Sequence, residues 1–348
     1  MIKNLILYCL TFLFCGFIYT QTNEDYVKYV NPLIGTDTSF ELSNGNTYPA
    51  IARPWGMNFW TPQTGKMGDG WAYTYKSDKL VGFKQTHQPS PWINDYGAFS
   101  LMPSVGKLSV LESERKLKFS HDNEIVEPHY YSVILDEINT KVEFTVTDRS
   151  SFFKFNFPKS ENSNIIIDAF FKNSEIKVIP NENKIIGIAK NNSGGVPENF
   201  ANYFVIEFNR PFKKSGVWDG RGNIISKNKL SGKHVGAYVS FDTNDNGLVE
   251  VKVSSSFISH EQAWINLYRE LPKSKKFDEI LAEGRKSWNN ELSKIKVETE
   301  DTDYGLSNKI KFYSCFYRTI LFPRQFHEYN IDGEQIHYSP YNGEILEG

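Results

Sequence analysis

The sequence predicts a mainly β protein: a large antiparallel β-sandwich followed by linker α-helices. Three observations carry this. From about Tyr26 to Phe257, short stretches alternate apolar and polar residues, as in Lys141-Val-Glu-Phe-Thr-Val-Thr147 and Glu250-Val-Lys-Val-Ser254, and period two marks a half-buried strand. Clusters such as Asn181-Glu-Asn-Lys184, Asn191-Asn-Ser-Gly-Gly195 and Asn244-Asp-Asn-Gly247 punctuate these stretches with residues that favour turns. The period then changes at Ser259, where apolar residues begin to recur at helical spacing.

The elements follow in order. Lys3, an apolar run from Leu5 to Tyr19 and polar Gln21 onward read as a secretory signal over residues 1–20, implying export to the periplasm or beyond. The run is short for a membrane span, and Leu13-Phe14 before Cys15 are too bulky for a lipid-anchor site. Residues 21–258 form the sandwich domain. Residues 259–323 form a helical linker: Ser259-His-Glu-Gln262 resembles a capping box, Phe277, Ile280, Leu281, Trp288 and Leu292 continue a helix, and another runs from Thr302 to Phe322 until Pro323 stops it. Its expected buried face is Leu306, Ile310, Tyr313, Tyr317 and Ile320. Residues 324–348 read as the middle of a hairpin with no closing element, so the chain looks cut short.

Composition narrows the function. With 348 residues, 40% apolar and 15% aromatic, the chain can bury a large core. A net charge of -2 and no basic run argue against a nucleic-acid partner. Cys9 and Cys15 lie in the signal, leaving Cys315, which builds neither a disulfide nor a cysteine zinc site. Between Phe312 and Phe316 it reads as a small buried hydrophobe.

The densest functional signal is Asp69-Gly-Trp-Ala-Tyr-Thr-Tyr75 followed by Gly82-Phe-Lys-Gln-Thr-His87 and on to Asp95-Tyr96. Trp71, Tyr73, Tyr75 and Trp92 offer flat rings for a sugar face, while His87, Asn94 and Asp95 can bond hydroxyls. The plainer alternative is a strand pair with exposed aromatics. His87 serves equally well bonding a backbone carbonyl. Asp37, Asp69 and Asp95 are candidate acids, but glycoside hydrolysis needs a carboxylate pair and their spacing identifies none.

Several of these segments form a recognisable set. Tyr29-Val-Asn-Pro-Leu-Ile-Gly-Thr36, Gly45-Asn-Thr-Tyr-Pro-Ala50, Arg53-Pro-Trp-Gly-Met57, Gly82-Phe-Lys-Gln-Thr-His87, Phe119-Ser-His-Asp-Asn-Glu124, Tyr130-Tyr-Ser-Val133, Phe312-Tyr-Ser-Cys-Phe-Tyr-Arg318 and Leu321-Phe-Pro-Arg324 together resemble glycoside hydrolase family 92, exo-acting α-mannosidases. The resemblance implies an N-terminal sandwich, a helical linker and a C-terminal (α/α)6 barrel that is absent from this chain. It implies a calcium-dependent, inverting enzyme acting on mannose-containing oligosaccharides of N-glycans or mannan, α-1,2 linkages being expected. The catalytic acid, base and calcium ligands belong to that barrel, which a separate gene could encode, so this chain alone is expected to be inactive. The candidate substrate-binding residues here are Gly35, Trp71, His87, Trp92 and Asp95, with no catalytic or metal-binding residue assigned. Tyr48 and Trp55 stand where the family usually has phenylalanine, which suggests an altered subsite lining. Two other classes stay open: a non-catalytic carbohydrate-binding module or inactive fragment, and a lyase or phosphorylase of similar architecture.

Overall fold

The computed structural model describes residues 24–37, 47–65, 72–88 and 95–348. A short 3-10 turn at Tyr26–Tyr29 comes first. The strands of the first part are β1 (Phe59–Gln63), β2 (Lys79–Leu80), β3 (Gly82–Thr86), β4 (Phe99–Val105), β5 (Leu117–Lys118), β6 (Ile125–Glu127), β7 (Tyr130–Leu135), β8 (Thr140–Val146) and β9 (Ser150–Asn156). The second part holds β10 (Ser163–Ile179), β11 (Lys184–Ala189), β12 (Asn202–Phe208), β13 (Lys214–Asp219), β14 (Ile224–Ile225), β15 (Lys229–Phe241) and β16 (Leu248–Ser256). Helices α1 (His260–Glu270), α2 (Phe277–Leu292) and α3 (Asp303–Ile320) follow, then β17 (Glu328–Tyr329), β18 (Gln335–Tyr338) and β19 (Ile345–Glu347).

Fourteen of the strands belong to one antiparallel sheet in the order β1-β3-β4-β10-β11-β12-β16-β9-β8-β7-β6, with β15 paired to β10, β13 to β15 and β14 to β13. The sheet folds over on itself. The first half of β10 pairs with β4 and the second half with β11, and two register shifts between Asp168 and Ser174 mark the corner. Bulges of this kind let a strand pass from one layer of a sandwich to the other. The facing layers interlock through aromatic rings: Trp60 of β1 lies 4.9 Å from Phe153 of β9, and Phe99 of β4 stacks 4.1 Å from Phe204 of β12. Phe153, Phe155 and Phe157 enter this core, whereas Phe152 faces α1 and α2. Strand alternation in the sequence thus becomes two sides of one sheet, and the mainly β expectation holds.

Helices cover the outer side. Ala263, Leu267 and Leu271 of α1 pack with Phe277 and Ile280 of α2 against Phe152 and Val205. Trp288 and Leu292 of α2 join Tyr313 and Tyr317 of α3 around Tyr26, Tyr29 and Tyr48. Ser259 Oγ accepts the Gln262 amide at 3.0 Å and Thr302 Oγ1 accepts the Gly305 amide at 3.0 Å, satisfying donors that a helix start leaves open. A Cβ at Gly305 would lie 2.0 Å from the Glu300 carbonyl, so glycine is required there. Among the described residues no helix is long and apolar enough to cross a membrane.

Two expectations for α3 need correction. Cys315 is exposed, not buried, and Leu306 is 47% exposed. The buried face is Tyr313, Ser314, Tyr317 and Ile320, because α3 packs on one side only, against α2 and the Tyr26–Tyr29 turn. The stripe is therefore narrower than the apolar residues of the helix suggested. The C-terminal segment forms the three-stranded sheet β17-β18-β19.

Candidate sugar site at the end of strand β3

Strand β3 carries Phe83 into the core and turns Lys84 to the other side of the sheet. Lys84 is fully buried, and its Nζ lies 2.9 Å from Asp95 Oδ2, itself 1% exposed. An uncompensated buried charge costs several kcal/mol, so each of these groups depends on the other. The second carboxylate oxygen, Oδ1, accepts the backbone amides of His87 and Tyr96, both at 2.9 Å. One side chain therefore grips both ends of the segment between His87 and Asp95. Burial would raise the Asp95 carboxyl, but Lys84, His87 and these amides hold it below the usual carboxylate range.

His87 adds a second clasp. Its Nδ1 lies 2.7 Å from the Tyr96 carbonyl and its Nε2 3.0 Å from Asn58 Oδ1. Burial pushes the imidazole down to about 4, against the pull of Asp95, so the ring is neutral at pH 7 and its single N–H serves one of these two acceptors at a time. The ring stacks on Tyr96 at 5.3 Å. Tyr96 in turn bonds Arg324 through its hydroxyl, and that guanidinium lies over the rings of Phe326 at 4.6 Å and Phe59 at 5.3 Å. Arg324 thereby joins the segment after α3 to the end of β3.

Gly35 is held nearby. It takes φ +85° in a turn, a conformation that suits glycine. Arg318 of α3 donates to the carbonyls of Pro32 at 2.7 Å, Ile34 at 3.1 Å and Tyr48 at 3.1 Å. The Tyr48 hydroxyl lies 3.2 Å from Thr86 Oγ1 and donates to the Gln88 carbonyl. The hydroxyl that distinguishes Tyr48 from phenylalanine thus braces the end of β3 from inside, and its buried ring lines no open subsite.

Of the five candidate residues, the structure bonds His87 to Asp95 directly and sets Gly35 beside Ile34, whose carbonyl Arg318 holds; Trp71 and Trp92 lie outside the described residues. His87 and Asp95 are both buried, which makes them positioning residues, not hydroxyl ligands on an open face. Tyr96 is already part of the aromatic run in the sequence, whereas nothing in the sequence assigns a role to Lys84, Asn58 or Arg324. A lysine at an alternate strand position reads as solvated, and only its place across from Asp95 shows otherwise. Among the described residues no three His, Cys, Asp or Glu side chains converge where a metal ion could sit.

Comparison with known proteins fits this geometry. The family model for the glycosyl hydrolase family 92 N-terminal domain matches residues 29–256, and that for the family 92 catalytic domain matches residues 262–348. The family 92 inverting mannosidase BT2199 of Bacteroides thetaiotaomicron VPI-5482 is 42% identical, with a TM-score of 0.88 over 93% of this chain and 43% of that one. The α-mannosidase BT3965 of Bacteroides thetaiotaomicron, solved with mannoimidazole, is 28% identical with a TM-score of 0.80 over the same shares. The family 92 glycosyl hydrolase ccman5, at 20% identity and a TM-score of 0.74, shows the shared fold alone. No curated protein matches the chain. It spans less than half the length of these solved relatives. With both family models matched in order and the sandwich superposing on a 42% identical mannosidase, the chain belongs to glycoside hydrolase family 92.

Proposed function

We propose that this chain forms the sandwich wall of the sugar pocket in an exported, calcium-dependent, inverting exo-α-mannosidase that trims terminal α-1,2-linked mannose from N-glycans or mannan. The observation that carries the reading is the double clasp of Asp95 and His87. It holds both ends of the segment containing Trp92 while Lys84 balances the buried charge. In this reading Trp71 and Trp92 stack on the sugar face, and Gly35, His87 and Asp95 keep the wall in shape.

The chemistry itself needs an acid and a base about 6.5–9.5 Å apart with water between them. Asp95 cannot be either, because both oxygens are engaged by Lys84 and two amides. The calcium and the two carboxylates are assigned to the barrel part of the enzyme, and no step through the metal is derived from residues of this chain. The 348 residues alone are expected to release no mannose from α-1,2-mannobiose with calcium present. Mixed with a family 92 barrel polypeptide, they are expected to restore release of free mannose without a phosphate requirement. Release by this chain alone, lost in Asp95→Ala, would place the catalytic centre in the sandwich and sink the reading. Binding without release in the mixture would favour a carbohydrate-binding module.

A further inference from the structure

The corner of strand β10 holds a feature that the clasp at Asp95 does not use. Phe170, Lys172 and Asn173 all have positive φ, at 64°, 71° and 69°. Such conformations are strained for residues other than glycine. A change of layer explains a bulge here, and it leaves open why the outward residue is Phe171, 50% exposed. The ring packs 4.4 Å from His234. His234 is fixed from behind: its Nε2 lies 2.7 Å from Asp168 Oδ1, and Arg115 holds the other oxygen of that buried carboxylate at 2.9 Å. Arg115 keeps Asp168 below the usual carboxylate range against the effect of burial. A carboxylate oxygen only accepts, so Nε2 carries a proton towards Asp168 and Nδ1 points away from that contact. That Nδ1 bonds nothing among the described residues. Phe171 and His234 border a groove of about 310 Å³ whose lining also includes Arg221 and Lys233; both are exposed. Asp219 also lines the groove, accepts the Arg221 amide and feels the Arg221 charge, whereas Lys233 forms no ion pair among the described residues.

We infer that Phe171, His234, Arg221 and Lys233 form a second saccharide subsite, taking one pyranose unit of a glycan. The apolar face of the sugar would lie on Phe171, one hydroxyl would hydrogen-bond His234 Nδ1, and the two cations would donate to sugar oxygens. Position supports this. Lys84, Ser100 and Asp168 face one another across β3, β4 and β10. From there β10 runs towards the Gly97 end of β4, where Lys172 bonds the Asn192 carbonyl and Gly97 the Asn191 carbonyl. The corner on β10 and the clasp on β3 therefore share one end of the sheet, two strand spacings or roughly 10 Å apart. The inference deepens the mannosidase reading by giving a glycan an outer point of attachment.

The test is a titration of the full chain carrying 4-fluorophenylalanine at position 171 with methyl α-mannoside and with a linear α-mannotriose. The fluorine resonance reports the corner, and the backbone amides of His87 and Tyr96 report the clasp. The fluorine resonance is expected to shift and saturate with the trisaccharide. Phe171→Ala is expected to weaken binding at least tenfold, about 1.4 kcal/mol, with the melting temperature unchanged, while Phe171→Tyr retains binding. His234→Gln is expected to weaken binding to a smaller degree. A fluorine signal that neither sugar moves, or wild-type affinity in Phe171→Ala, would overturn the inference. If the corner responds but neither sugar moves the clasp amides, the subsite stands and the mannosidase reading of the clasp fails. The reverse pattern removes the subsite alone.

Discussion

Two fully buried carboxylates hold this protein together in opposite ways. Asp95, beside the candidate sugar site, has a lysine at 2.9 Å and two backbone amides. Glu328, where β17 meets α1, has neutral donors only: the Phe257 amide at 3.1 Å, Asn266 Nδ2 at 2.6 Å and the Ser256 hydroxyl. Burial pushes Glu328 up to about 7, and these donors pull it only partly back, whereas Asp95 stays below the usual range. Equal burial thus yields opposite titration, and the presence of a contacting cation decides which. The Asp95 clasp is a charge pair that cannot lose one member; the Glu328 joint is a neutral network that a proton improves.

The largest effect should come from breaking the pair. Lys84→Met leaves the Asp95 charge buried without its cation, and should cost about 3–5 kcal/mol in chemical denaturation. The double variant Lys84→Met with Asp95→Asn should recover part of that loss, since the stranded charge is gone. A loss below about 1 kcal/mol in the single variant would mean that the pair is effectively solvated.

The next effect is in pH. For Glu328 the folded pKa lies above the unfolded one, so the folded state holds the proton more tightly. Stability is then greatest below about 4.5 and declines as pH rises through about 7, by on the order of 2–3 kcal/mol. For Asp95 the sign reverses: its contribution is present above the unfolded value of 3.8 and is lost as pH falls below it. Urea midpoints measured between pH 4.5 and 8.5 should decline from about pH 4.5 to about pH 7 and level off above that, and Glu328→Gln should flatten the decline. The variant itself should cost about 1–2 kcal/mol at low pH, because its amide must face a donor. A wild-type profile flat from pH 5 to 8 would show that Glu328 ionises like an exposed acid.

The smallest effects calibrate the comparison with groups that carry no charge. Ser259→Ala removes the neutral cap of α1 and should cost about 1 kcal/mol, with no pH dependence in the difference. Alkylation of Cys315 in the folded chain should go to completion without unfolding it, since the thiol is exposed on α3. Protection of that thiol would mean that another surface covers the helix.

The amino-acid order alone determined a good deal. Alternation in Lys141–Thr147, the change of period at Ser259 and the caps at Ser259 and Thr302 mark strands and helices because they act within one element, where neighbours in sequence are neighbours in space. The motifs from Tyr29 to Arg324 were equally legible, and with them the family. What only the tertiary structure decided depends on residues far apart in the chain. Lys84 is buried because β3 meets Asp95 on its return, His87 faces inward because Asn58 and Tyr96 close around it, and Cys315 is exposed because α3 has a partner on one side only. Asp168 meets Arg115 and His234 across 53 and 66 residues. Which face a polar side chain takes, and whether a cation waits there, is settled by the packing of distant strands, and no local pattern encodes that.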